Sequence, residues 1–205
     1  MRVGIGYDIH RFTEGRRLVL GGVLIESEPG LAGHSDADVV LHAIIDALLG
    51  AAGKADIGTQ FPDSEEQWQD ASSSELLQKT VDMIRDDGYE PVNVDVTIIA
   101  EKPRIAPYVP DMRASIAQAM GILQDHVSVK ATTNEGLDGI GRGEGIVAIA
   151  VALLRSPVES RESLLTPCNR RFYTETCLHV GRIFLACDGN VGRSGAMVAR
   201  AICNR

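Results

Sequence analysis

Asp8 and His10 stand two residues apart in Gly4-Ile5-Gly6-Tyr7-Asp8-Ile9-His10, and His42 follows in Ser35-Asp36-Ala37-Asp38-Val39-Val40-Leu41-His42. Side chains on a strand alternate between faces, so residues i and i+2 share one. If residues 4–10 form a first strand, Asp8 and His10 reach one metal ion together. His42 adds a third ligand from a helix. Two imidazoles and one carboxylate leave a fourth tetrahedral position open, the arrangement of a working zinc site and not of a structural one.

The surroundings of His42 predict that helix. His34, Ser35 and Asp36 offer capping side chains, and Val39 to Leu49 is apolar and helix-forming, with a stop at Gly50. Asp38, His42 and Asp46 then fall at i, i+4 and i+8 as one polar stripe. Such a stripe is either a solvated face or a ligand-bearing one. The Asp-x-His strand favours the ligand, with Asp38 or Asp46 as an orienting partner.

A second polar set is Lys130-Ala131-Thr132-Thr133-Asn134-Glu135 at the end of a predicted strand. A cation, two hydroxyls and a carboxylate suit a phosphate with a divalent ion, and Glu135 suits Mg²⁺ or Mn²⁺. A hydroxyl-rich turn is the plainer identity of the same residues. Gly139-Ile140-Gly141-Arg142-Gly143-Glu144-Gly145 is dense in glycine but precedes a strand, so it misses the strand–glycine–helix order of a dinucleotide fingerprint. Ala100-Glu101-Lys102-Pro103-Arg104-Ile105-Ala106-Pro107 is a proline-bracketed loop with two cations, suited to a nucleotide.

These groups need a scaffold. Leu18 to Ile25 reads as a hairpin turning at Gly21-Gly22. Residues 56–63 lack periodicity and read as a loop, either over an active site or plain surface. Ser72 or Ser73 caps a helix to about Arg85, stopped by Gly88, and Pro110 opens another that Gly121 closes. Val92 to Ala100, Val127 to Thr132 and Gly145 to Leu154 are strands, with Val92, Val94 and Val96 on one side of the first. The order predicts an α/β fold whose sheet has helices packed on one face. The other face needs a partner, and oligomerisation supplies one.

The chain of 205 residues carries a net charge of −8, which speaks against a general nucleic-acid binder. It has no apolar run of membrane-spanning length and no signal-like N-terminus, so the expectation is a cytoplasmic protein without a membrane role. Charge is unevenly spread: residues 1–155 sum to −11 and residues 156–205 to +3. All four cysteines, Cys168, Cys177, Cys187 and Cys203, fall in that last stretch at spacings matching no zinc ribbon. Two parts are therefore expected, residues 1–156 and an extra tail, 157–205.

The ordered motifs Gly-Tyr-Asp-Ile-His at 6–10, His-Ser-Asp-Ala-Asp at 34–38 and Leu-His-Ala-Ile-Ile-Asp-Ala-Leu-Leu-Gly at 41–50 belong together. Asp-Ile-Gly at 56–58, Phe-Pro-Asp at 61–63 and Asn-Val-Asp-Val-Thr-Ile-Ile-Ala at 93–100 follow. Val-Lys-Ala-Thr-Thr-Asn-Glu at 129–135 and Gly-Arg-Gly-Glu-Gly at 141–145 complete the series. Over residues 1 to about 155 this resembles the 2-C-methyl-D-erythritol 2,4-cyclodiphosphate synthase family of non-mevalonate isoprenoid synthesis.

The resemblance implies a homotrimer with active sites between subunits, and a cytidine diphosphate substrate closed to a cyclic diphosphate with loss of CMP. It assigns Zn²⁺ to Asp8, His10 and His42, and Mg²⁺ or Mn²⁺ to Glu135. His34, Ser35, Asp56, Ile57, Gly58, Phe61, Pro62 and Asp63 would line the methylerythritol side. Ala100, Lys102, Pro103, Arg104, Ile105 and Ala106, with Thr132, Thr133 and Asn134, would form the nucleotide side. His34 and Thr133 match positions that support the transition state, and Arg142 one that binds phosphate near the trimer axis. Gly139 and Arg104 depart from the family pattern, where Phe and Lys are common. Rival readings of the same residues are a metal-dependent phosphohydrolase and a non-catalytic nucleotide-binding trimer. In the tail, residues 182–194 resemble the opening of low-molecular-weight protein tyrosine phosphatases, with Cys187 and Arg193 framing a Cys-x5-Arg loop. The chain stops about one βα unit into that fold, so a non-catalytic remnant is expected.

Overall fold

The computed structural model describes residues 1–26, 29–33, 35–62, 65, 68 and 71–156. The tail expectations, Cys187 included, therefore lie outside the described residues, as do His34 and Asp63.

Among the described residues seven strands form, β1 (Arg2–Thr13), β2 (Leu18–Leu20), β3 (Val23–Ile25), β4 (Gly30–Leu31), β5 (Glu90–Ile99), β6 (Val127–Thr132) and β7 (Gly145–Arg155). The main sheet runs β4-β1-β7-β5-β6. β1 and β7 pair antiparallel from Arg2 opposite Leu154 to Arg11 opposite Gly145, whereas β5 and β6 run parallel. β2 and β3 make the expected hairpin, and Gly21 and Gly22 both take positive φ (60° and 74°), which a tight two-residue turn requires. In β5 the pairing shifts between Pro91 and Asn93, so Val94, Val96 and Ile98 are buried while Val92 sits in the irregularity, only half-buried.

The helices are α1 (Val39–Ala52), α2 (Ile57–Gln60), α3 (Ser73–Asp86), α4 (Val109–Met120) and α5 (Asp138–Gly141). α1 lies across β1 and β7, with α3 beside it, and α4 packs on α3 and β6. The sheet is thus mixed, with its long helices on one face. The core is aliphatic: Leu41, Ile44, Ile45, Leu48 and Leu49 of α1 meet Val94, Val96, Ile98, Ala148 and Ala150 of the sheet. Among the described residues no helix is long and apolar enough to cross a membrane.

Two boundaries differ from expectation. α1 passes through Gly50 and ends at Gly53, whose left-handed φ of 76° closes the helix. A glycine inside a helix costs about 1 kcal/mol, which burial of the flanking Leu48, Leu49 and Ala51 outweighs. Residues 57–60, expected as loop, form the short α2, because the Asp56 carboxylate caps the Thr59 N–H at 2.9 Å.

The approach of α1 to β1 sets the site. A Cβ on Gly4 would lie 2.0 Å from the Ala47 carbonyl oxygen, and one on Gly6 1.9 Å from that of Ala43. Only hydrogen fits at either place. Glycine on the inward face of β1 and alanine at Ala43, Ala47 and Ala51 let strand and helix backbones touch. His42, next to Ala43, is brought over the next inward pair on β1, Asp8 and His10.

Candidate metal centre

Asp8, His10 and His42 converge as their spacing predicts. One nitrogen from each imidazole and one carboxylate oxygen lie within 4.8 Å of one another. Asp8 Oδ2 is 2.9 Å from His10 Nε2 and 3.0 Å from His42 Nδ1, and those two nitrogens are 3.3 Å apart. Asp8 is steadied by the Ile9 N–H, which donates to its other oxygen at 2.8 Å. His10 Nδ1 meets the Ala32 carbonyl. A carbonyl only accepts, so Nδ1 carries a proton and Nε2 is the nitrogen whose lone pair a cation at the centre of the group would meet. The donor set, its half-buried setting and that lone pair all fit a divalent ion such as zinc.

The electrostatics agree. Burial disfavours a charged Asp8, yet hydrogen bonds from His10 and His42, and their charge, hold its pKa far below the ordinary carboxylate value. Burial likewise works against a charged His10, but the bond to Asp8, its negative charge and the Ala32 carbonyl raise its pKa above 6.5. Without a metal the three side chains satisfy one another through protons, and a cation can take the place of those protons.

Neither orienting candidate on α1 has that role. Asp38 is the N-cap of the helix, fully buried, and its carboxylate accepts four backbone N–H bonds. Val40 and Leu41 donate at 3.1 Å each, Gly21 at 2.9 Å and Gly22 at 2.6 Å. It ties the hairpin turn to the start of α1. Asp46 accepts the Ile57 N–H at 2.8 Å and so anchors α2, and burial raises its pKa. The groups behind His42 are instead Ser35 and Ser73, with Oγ atoms 3.1 and 3.0 Å from Nε2.

A cleft of about 200 Å³ adjoins the group, lined by His10, Ser35, His42, Ile57, Gly58 and Phe61, together with Trp68 and Leu76. The structure thus brings four predicted methylerythritol-side residues to the metal group. Phe61 is buried edge-on against Trp68, ring centroids 5.1 Å apart. Pro62 is half-buried beside it. Asp56 faces solvent as the α2 cap, its pKa lowered by the Thr59 bonds. Arg16 fixes the cleft wall by donating to the carbonyls of Gly33 and Ser35.

The nucleotide-side residues gather elsewhere. Lys102, Pro103, Arg104 and Arg142 line a cavity of about 760 Å³ with Glu101 and Phe12. Arg142 is paired there with Glu144 at 2.7 Å. Ala100 and Ile105 are buried, Ala100 donating to the Thr132 carbonyl at 3.0 Å, and Ala106 starts a short 3-10 helix. Asn134 shares a third cavity, about 610 Å³, with His10, Tyr7 and Ile9. Thr132, Thr133 and Glu135 are exposed, with Thr133 Oγ1 donating to Glu135 at 3.1 Å. Glu135 lines neither cavity that includes His10. Sequence reasoning missed Glu101, whose carboxylate accepts the N–H groups of Asn134 (3.0 Å) and Gly136 (3.2 Å). It clamps the turn on both sides of Glu135, which takes a positive φ of 51°. Its place in the proline-bracketed loop 100–107 was the signal the sequence offered.

Comparison with known proteins agrees with this geometry. The YgbB family model matches residues 1–155. The 2-C-methyl-D-erythritol 2,4-cyclodiphosphate synthase of Symbiobacterium thermophilum is 56% identical over 75% of this chain and 98% of its own. Among solved structures, a CDP complex of IspF from Plasmodium falciparum is 35% identical with a TM-score of 0.67, over 76% of this chain and 96% of that one. The bifunctional IspDF of Campylobacter jejuni gives 39% and 0.73 over 76% of this chain and 42% of that longer one. The chain belongs to the YgbB family, that of the 2-C-methyl-D-erythritol 2,4-cyclodiphosphate synthases.

Proposed function

We propose that the chain converts 4-diphosphocytidyl-2-C-methyl-D-erythritol 2-phosphate to 2-C-methyl-D-erythritol 2,4-cyclodiphosphate with release of CMP, as a cytoplasmic lyase of isoprenoid precursor synthesis. The observation that carries this reading is the convergence of Asp8, His10 and His42 beside a cleft, in a chain 56% identical to a synthase of that name.

An oxygen of the substrate's 2-phosphate attacks the β-phosphorus, and the bond from that phosphorus to the CMP oxygen breaks. The nucleophile is already an anion, so no separate base is needed. The obstacle is to bring two phosphates together in line. When bound, zinc on Asp8, His10 and His42 and Mg²⁺ or Mn²⁺ on Glu135 neutralise the phosphate charge. The chain's own residues do the rest. Ser35, Ile57, Gly58 and Phe61 hold the methylerythritol portion, with Asp56 and Pro62 around it, and the family resemblance assigns His34 and Asp63 to the same side. Residues 100–106 with Thr132 and Asn134 receive the cytidine diphosphate, while His34 and Thr133 bond to oxygens that gain charge in the transition state. Arg142 meets a further phosphate.

The reading includes a homotrimer. Val3, Ile5, Tyr7 and Ile9 form an outward row on β1, each at least half exposed, and such a contiguous apolar row is what an interface covers. The number three rests on the family resemblance, and light scattering at micromolar concentration tests it. Incubation with the cytidylated substrate, Zn²⁺ and Mg²⁺, followed by ³¹P spectroscopy, tests the reaction. Cyclic diphosphate with CMP supports the reading; linear hydrolysis products or no turnover overturns it.

A further inference from the structure

Behind His42, on the side away from Asp8 and His10, lies a chain of polar groups that ends in a carboxylate. His42 Nε2 stands 3.0 Å from Ser73 Oγ and 3.1 Å from Ser35 Oγ. Ser73 is the first residue of α3, completely buried, and its hydroxyl donates to Asp36 Oδ1 while its N–H donates to Asp36 Oδ2 at 3.1 Å. Asp36 is fixed in turn by the Asp38 N–H at 3.3 Å. Asp36 therefore faces three donors, and its direction is set by backbone at both ends.

The direction of each bond follows from the chemistry of the groups. A carboxylate only accepts, so the single hydroxyl proton of Ser73 is committed to Asp36. Ser73 Oγ then has only lone pairs to show His42, and Nε2 must bring the proton. Ser35 Oγ, which already accepts the Ala37 N–H at 3.1 Å, flanks the same nitrogen. The remaining nitrogen, Nδ1, faces Asp8 at 3.0 Å, and once a cation replaces the proton shared there its lone pair is free for the ion.

We infer that Asp36 and Ser73 are positioning residues for the metal centre: together they keep the His42 proton on Nε2 and so aim the Nδ1 lone pair at the ion. The role equals that of the Ala32 carbonyl at His10, but it is carried by two side chains from different elements and reaches His42 indirectly. Asp36 is not among the residues lining the cleft beside the metal group, so its effect runs through metal binding. The inference rests on the metal reading of Asp8, His10 and His42.

Competition of the purified protein against a chromophoric zinc chelator tests it, with thermal melting of the metal-free proteins measured alongside. Groups that orient a ligating imidazole are worth about 10–100-fold in metal affinity. Ser73→Ala is expected to weaken zinc binding by about that factor, and Asp36→Asn in the same direction, because an amide no longer forces the hydroxyl proton its way. The zinc-loaded parent should also show a slowly exchanging His42 Nε2 proton by NMR that Ser73→Ala loses. If Ser73→Ala does not fold, Asp36→Asn alone decides. Parent-like zinc affinity, within twofold, in every folded variant overturns the relay while leaving the centre standing. A parent that binds no zinc overturns the centre and the relay together.

Discussion

The metal group and the Thr132–Glu135 segment are made of similar residue types but differ in how the chain holds them. Asp8, His10 and His42 sit between a strand and a helix pressed into backbone contact, half-buried, each bonded to others of the group. Thr132, Thr133 and Glu135 stand exposed at the end of β6, fixed by one turn that Glu101 clamps. The first is completed by one copy of the fold. In the proposed trimer the second would be a half-site whose remaining walls come from a neighbouring copy. Damage to the first should therefore register in folding and metal content, and damage to the second in catalysis alone.

Gly6→Ala breaks the contrast most severely. A methyl 1.9 Å from the Ala43 carbonyl must push α1 off β1, costing about 1–3 kcal/mol or more and separating His42 from its partners. Loss of both thermal stability and zinc is expected, and retention of stoichiometric zinc by elemental analysis would break the account of the site. His42→Ala should leave the fold but lose zinc, and turnover should fall about 10²–10⁴-fold with the several kcal/mol such an ion supplies. Asp38→Asn sharpens the division within α1. The amide turns a donor toward N–H groups, costing about 1–3 kcal/mol in denaturant melts, while zinc affinity stays near the parent's.

Acid and base should act on the metal-free group from opposite sides. Asp8 has a folded pKa below its ordinary 3.8, so its contribution is present above about that pH and lost as pH falls. His10 has a folded pKa above 6.5, so its contribution is present below that and lost as pH rises. Both contributions are present together only between the two, and Asp8→Asn should remove them from the metal-free melting profile. On the exposed side, Glu135→Gln should raise the Mg²⁺ concentration needed for half-maximal rate while zinc content and melting stay unchanged. The smallest effect is expected from removing residues 157–205 or from Cys187→Ser. The family match ends at residue 155, and activity should persist.

Asp8 and His10 were legible because a period of two is a local property, and His42 because the helix around it is long and apolar. The α4 boundaries were legible for the same reason, Pro110 and Gly121 each acting within one turn. Asp36, Ser73 and Glu101 were not. Their partners lie about 35 residues away, and nothing in the sequence near Ser73 marks it as more than a helix-start serine. The stripe of Asp38, His42 and Asp46 was found, but shared spacing on a helix did not reveal that Asp38 points to the hairpin turn and Asp46 to α2. Helix periodicity says which residues share a side, and only the packed neighbours say what that side meets.

The alternation along β1 has one more consequence. Gly4, Gly6, Asp8 and His10 occupy one face, and Val3, Ile5, Tyr7 and Ile9 the other. A single-residue insertion or deletion among residues 4–9 would exchange those sets over the part of the strand beyond it. Carboxylate and imidazole would turn outward, and bulky aliphatic groups would face α1 where only hydrogen fits. This short stretch should thus be intolerant of length change in an insertion scan, even where it accepts conservative substitution. Metal loading and the proposed assembly would fail in the same clone.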